Sequence, residues 1–230
     1  MSVLRHAARI AWKDLRIELR SKEIVYTMAF FGGLIVVIYA MAFPVGGRLG
    51  PALVRAATPG MLWVALAFAG TIGLGRAFDR ERENDTMRAL LLAPIPRLSV
   101  FAGKAIAIAV MVLAVAAVCV PLLALFLQAP LFAEPLPLVL AVVLGAVGFA
   151  NVGSVFAATL LKVRSRDVLL PVILYPILIP LFVAGTHATE ALLVTVPDLD
   201  KAWYWIGFLG IYDAAGLVMS LWIFEALVIE

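Results

Sequence analysis

The sequence predicts an all-α integral membrane protein: six transmembrane helices preceded by an N-terminal amphipathic interfacial helix. Three observations predict it. Hydrophobic residues make up 64% of the 230 residues and charged residues 14%, whereas a water-soluble domain sits nearer about half and about a quarter. A bilayer core about 30 Å thick needs roughly 20 mostly apolar helical residues, and six such stretches can be laid end to end along the chain. Each stretch is continuously apolar, unlike the alternating segments of roughly 10 residues that build membrane β-barrels.

The first element spans residues 1–22. From Val3 to Arg20 a helix places Leu4, Ala8, Ala11, Trp12, Leu15 and Leu19 on one face and Arg5, Arg9, Lys13, Arg16 and Arg20 on another, as suits a helix lying in the interface beside anionic lipid. The first span follows at Ile24–Phe43. Its basic approach and Ala40-Met41-Ala42 superficially match a cleavable signal, but the apolar run is longer than the usual ~7 to 15 residues, so no cleavage is expected. Further spans are expected at Pro59–Phe78, Val100–Leu127, Leu136–Leu161, Val168–Ala184 and Trp203–Leu227.

Residues 76–97 hold the densest charge. Arg76, Phe78, Glu81, Arg82, Glu83, Asp85 and Arg88 lead into Leu90, Leu91 and Pro94, with Asp85-Thr86 placed to cap a short helix that Pro94 and Pro96 end. Topology alone requires no acids, yet Asp79, Glu81, Glu83 and Asp85 alternate with the basic residues. That mixed pattern fits a steered docking contact better than a plain solvated loop.

Within the spans, Cys119 reads as a small packing residue. In the fourth span Ala146, Ala150, Ser154 and Ala158 recur every fourth residue beside Gly145, Gly148 and Gly153, a stripe for close helix packing within the chain or across a dimer, with Asn151 placed to hydrogen-bond between helices. The fifth span carries Pro171, Pro176 and Pro180, which predict a kinked or broken helix. Residues 185–202, with His187 and Glu190, are expected to form an outer-side loop or short surface helix. Asp213 is the one acid well inside a span, where an ionised carboxylate costs about 2.5–3.5 kcal/mol. It is by default a functional candidate; the alternative is that it snorkels, or is neutral and bonded to a neighbour such as Tyr212 or a facing helix.

Basic residues set the orientation. Fifteen of the 18 Lys and Arg fall in the N-terminal segment and the second-to-third and fourth-to-fifth connections, against Arg48, Arg55 and Lys201 elsewhere. Both termini are therefore expected in the cytoplasm. The pI near 9.2 is then a topology signal, with anionic lipid as sufficient partner and no reason to invoke nucleic acid.

The sequence has no G-x-x-x-x-G-K-[ST], no H-E-x-x-H and no G-x-S-x-G, and Gly73-Leu-Gly75-Arg-Ala-Phe78 lacks the last glycine of a dinucleotide fingerprint. No enzyme activity, bound metal or bound cofactor is expected of this chain.

Four segments carry a resemblance: Trp12-Lys-Asp-Leu-Arg-Ile-Glu-Leu-Arg20, Pro59-Gly-Met-Leu-Trp63-Val-Ala, Arg76-Ala-Phe78 running to Leu90-Leu-Leu-Ala-Pro94, and Leu170-Pro-Val-Ile-Leu-Tyr-Pro176-Ile-Leu-Ile-Pro180-Leu. Over nearly its whole length the chain resembles the heme exporter protein B family, the membrane permease subunit of the cytochrome c maturation ABC transporter. The resemblance implies an ABC-2-type permease architecture and a bacterial inner-membrane location. It makes Arg76 to Pro94 the main coupling helix in a groove of a cytoplasmic ATPase, and Lys162 to Asp167, with Arg164 and Arg166, a second contact. It further implies two ATPase copies holding ATP and Mg, a second copy of the permease, and other cytochrome c maturation membrane proteins as partners. Heme is the implied cargo, exported or released on a chaperone, and His187 is a residue that could face it. Two other functions fit the residues taken alone: a proton-coupled secondary carrier built on Asp213, and a membrane scaffold without transport.

Overall fold

The computed structural model describes residues 2–42, 51–83, 96–160, 163 and 165–229. Among them are the helices α1 (Ser2–Ser21), α2 (Glu23–Ala42), α3 (Pro51–Glu83), α4 (Arg97–Leu127), α5 (Pro135–Thr159), α6 (Arg166–Leu193) and α7 (Leu199–Ile229), and no strand. The six from α2 to α7 are long and apolar enough to cross a membrane. They run up and down in sequence, so the starts of α2, α4 and α6 and the ends of α3, α5 and α7 gather at one end, here called the basic end.

α5 is the most enclosed helix, packed against α3, α4, α6 and α7. Its small residues explain why. Trp63 of α3 sits over Gly145, Leu74 of α3 lies 2.8 Å from where a Cβ on Gly153 would be, and Asp213 of α7 sits over Gly148. The small-residue stripe thus serves packing inside this chain. At the periphery α2 and α7 leave Phe30, Leu34, Ile38, Ile211 and Val218 exposed, as lipid-facing helices do. Cys119 is fully buried, 2.9 Å from a Cβ built on Gly32, in the packing role expected of it.

Three elements differ from their sequence reading. First, α1 has two apolar faces. Leu4, Trp12 and Leu19 are exposed, while Ala7, Ile10 and Ala11 are buried on α4, where Gly103 admits the Ile10 side chain and the Ala7 carbonyl. Second, α6 is one continuous helix through Pro171, Pro176 and Pro180, not a broken one. The prolines remove the N–H groups that would bond the carbonyls of Asp167, Val172 and Pro176, yet α6 packs along α3, α5 and α7 and its remaining ladder persists. Third, the 185–202 segment is loop only over residues 194–198. α6 continues to Leu193 and α7 starts at Leu199, so His187 and Glu190 ride on α6 and no separate surface helix forms. Ala191, Leu192 and Leu193 form the buried last turn of α6, while Val194 and Val196 beyond it are exposed.

Candidate functional site

At the basic end, the α3 helix does not stop where the apolar run stops. It continues through Arg76 and Phe78 to Glu83, so the first charged residues of the 76–97 segment, including Glu81 and Arg82, extend a membrane helix. Asp85, Arg88, Leu90, Leu91 and Pro94, with the short helix expected there, lie outside the described residues, as does Arg164.

Among the described residues, these contacts brace this end. Arg166, at the start of α6, is 1% exposed and donates from Nη2 to the Gly75 carbonyl of α3 at 2.6 Å. Arg76 Nη1 lies 3.2 Å from Glu23 Oε1 at the start of α2. Lys104 of α4 donates to Asp14 Oδ2 of α1 at 2.5 Å, with Lys13 on the other carboxylate oxygen at 2.9 Å. Phe78 is buried at 1% exposure. Arg166 and Phe78, both read as surface contacts, are therefore internal struts here. A long apolar stem explains why Arg can be buried at such a place: its stem packs while its fork finds an acceptor.

The chain enters α2 through a fixed elbow. Lys22 adopts φ 57°, a left-handed conformation that reverses direction between two helices. Buried Glu18 then accepts the Val25 N–H at 2.9 Å, satisfying a donor that the first turn of α2 leaves free. Neither Asp14 nor Glu18 stood out in the sequence; the available signal was an acid on the packed side of a basic amphipathic helix.

Deeper in the bundle, α3 and α6 are laced along their length. Besides Arg166 to Gly75, Thr71 Oγ1 lies 3.2 Å from the Tyr175 hydroxyl, and Trp63 Nε1 donates to Thr189 Oγ1 at 3.1 Å. Asn151 and Asp213 behave differently. Both are buried, at 1% and 6% exposure, and neither side chain has a hydrogen-bond partner among the described residues. Asp213 does not snorkel, and Tyr212 spends its hydroxyl on the Ile177 carbonyl at 2.8 Å rather than on Asp213. At the far end His187 Nδ1 is 3.0 Å from Glu190 Oε2 and its ring stacks on Trp205 at 4.9 Å. No group of three or more metal-ligating side chains occurs among the described residues.

These features define a polytopic all-helical membrane protein with a braced, charged end and a bundle almost free of charge. A sequence model of the CcmB protein family matches residues 5–228, and the chain belongs to that family. Similar proteins carry the name heme exporter protein B. The one from Pseudomonas aeruginosa is 27% identical over 181 residues, 78% of each chain. That from Rhodobacter capsulatus is 29% identical over 190 residues, 80% of this chain and 84% of the relative. The Paracoccus denitrificans protein is 30% identical over 179 residues, 77% and 79% respectively.

Proposed function

We propose that this chain is the membrane permease subunit of an ABC transporter of cytochrome c maturation, which exports heme or uses ATP to release a heme-loaded chaperone. Two cytoplasmic ATPase subunits hold the ATP and Mg, and a second copy of the permease and other maturation proteins complete the complex. The chain lies in the bacterial inner membrane with both termini in the cytoplasm, so that the basic end faces the ATPases. Its own role is transmission. The ATPase engages Arg76 to Pro94, and closure of the ATPases shifts the permease between two states only to the extent that they bind one state better than the other.

The observation that carries this reading is the bracing of the basic end. α3 runs unbroken from the membrane core to Glu83, and Arg166 ties the start of α6 to Gly75 on the same helix. A push on the charged segment therefore reaches two spans at once. The test is co-expression with the products of the neighbouring genes and purification in mild detergent, asking whether a P-loop ATPase co-elutes. The ATPase is expected to co-elute, and reversing the charges at Glu81, Glu83 and Arg88 to abolish co-elution. A permease that purifies alone, or binding indifferent to the reversal, would overturn the assignment.

A further inference from the structure

The seam between α5 and α7 differs from the laced α3–α6 interface in its polar chemistry. Asp213 Oδ1 sits over Gly148, where no Cβ could fit, and Asn151 Nδ2 lies 3.2 Å from a Cβ built on Gly216. Each helix thus offers a glycine to receive the other's polar side chain. Both helices run toward the basic end, and three residues separate 148 from 151 and 213 from 216, so the two polar groups occupy adjacent turns, about 4.5 Å apart in height. Both carboxylate oxygens, the amide oxygen and the amide nitrogen lack a partner among the described residues.

A bare carboxylate enclosed in a membrane bundle demands a neutralising partner. Among the described residues no basic side chain supplies it. α5 carries no titratable residue between Pro135 and Thr159, and α6 carries none between Pro176 and Thr186. On α6 the nearest is His187, six residues or about 9 Å beyond Leu181, and it is engaged with Glu190 and Trp205. On α4, Lys104 is held by Asp14 and Cys119 faces Gly32. Tyr212, beside Asp213 on α7, bonds Ile177. A metal cation requires several oxygens converging on one point, and the Leu181 methyl fills the same notch over Gly148 that Asp213 occupies. A proton requires no such shell.

We propose that Asp213 is a proton-binding site of the α5–α7 seam, its carboxyl protonated while the seam is closed and deprotonated when α7 parts from α5. On opening, the carboxyl O–H bond breaks, its electron pair stays on the carboxylate, and a water molecule takes the proton as hydronium. The closed seam binds one proton more than the open one, so its stability is full at low pH and declines as pH rises.

The test uses the full chain in lipid nanodiscs and reads the infrared carbonyl stretch of a protonated carboxylic acid. The expected band is present at neutral pH, lost on strong alkalinisation and absent from Asp213→Asn. Thermal unfolding of the unsubstituted chain is expected to fall with rising pH more steeply than that of Asp213→Asn. Isotope-labelled aspartate, which must shift the band in the unsubstituted chain, keeps the test valid should the Asn variant not fold. A spectrum with no label-sensitive carboxylic acid band at neutral pH, or a band indifferent to Asp213→Asn, would overturn the proposal. None of these readings depends on an ATPase, so they stand or fall apart from the transporter assignment.

Discussion

The indole of Trp63 lies across two glycines from different helices, Gly145 of α5 and Gly185 of α6, and its N–H is held by Thr189, whose hydroxyl in turn donates to the Gly185 carbonyl at 2.8 Å. A side chain on Gly185 must displace the ring. Gly185→Val is expected to destabilise by about 1–3 kcal/mol through overpacking, and Thr189→Val by about 1 kcal/mol through the lost hydrogen bond; thermal unfolding in detergent measures both. Arg166→Met removes a charged donor from the part-buried Gly75 carbonyl and is expected to cost about 1.5–3 kcal/mol, read in the same way. Trp63 was visible in the sequence as part of Pro59-Gly-Met-Leu-Trp63, but its seat was not, because Gly145 and Gly185 lie far along the chain and look like any other small residue in an apolar span. Asp213 was legible as an outlier from composition alone. Its lack of a partner was not, since that depends on what Tyr212 and the facing helices do with their own polar groups.

At the scale of elements, six apolar runs sufficed to find the six spans, because in a membrane the backbone must close its hydrogen bonds within each segment. Their ends were less legible. Arg76 and Glu83 are charged, yet α3 continues through them; helix propagation needs no apolar side chain once the turn is formed. The prolines of α6 allowed a kinked or a broken span, and the helix runs on through them, since a helix held on several sides tolerates missing donors. The packing of α1 on α4 was hidden because Lys104 counted only as a topology residue, while in the fold its side chain is 7% exposed and paired with an Asp14 that is 13% exposed. Breaking a buried pair from one side costs up to about 3–5 kcal/mol, less here for Lys104 because Asp14 keeps Lys13 at 2.9 Å, whereas replacing both with apolar residues is often near neutral. Lys104→Met alone is therefore expected to loosen α1, seen as faster backbone hydrogen exchange over residues 7–18, and Asp14→Leu with Lys104→Met to restore much of the protection. A double variant as loose as the sum of the single ones would contradict the pairing.

Across the whole molecule the polar contacts divide the bundle into a stiff part and a part free to part. The ties from α3 to α6 fall at Trp63, Thr71 and Gly75, and the 12 residues from first to last span about 18 Å of α3. Hydrogen bonds at several levels resist sliding in a way that apolar contacts alone do not, because every slip would leave buried donors and acceptors unpaired at once. The α5–α7 seam has no such lacing among the described residues. On the proposed transporter reading, this contrast would make α3 and α6 the lever and α7 the helix that yields. It was not legible in the sequence, where Thr71, Tyr175 and Thr189 are ordinary residues of apolar spans, and it predicts how the assembled transporter responds to cross-linking. With Cys119 replaced by Ala, cysteines at Thr71 and Tyr175 joined by a short thiol-reactive linker are expected to leave ATP turnover by the complex unchanged, since α3 and α6 already move as one body. Cysteines at Val152 and Gly216, joined likewise across α5 and α7, are expected to arrest it. Comparing turnover before and after the linker is added, within each variant, removes any effect of the substitutions themselves. Arrest by the α3–α6 link would show that those helices slide past each other during the cycle, and the lever would then have to be sought elsewhere in the bundle.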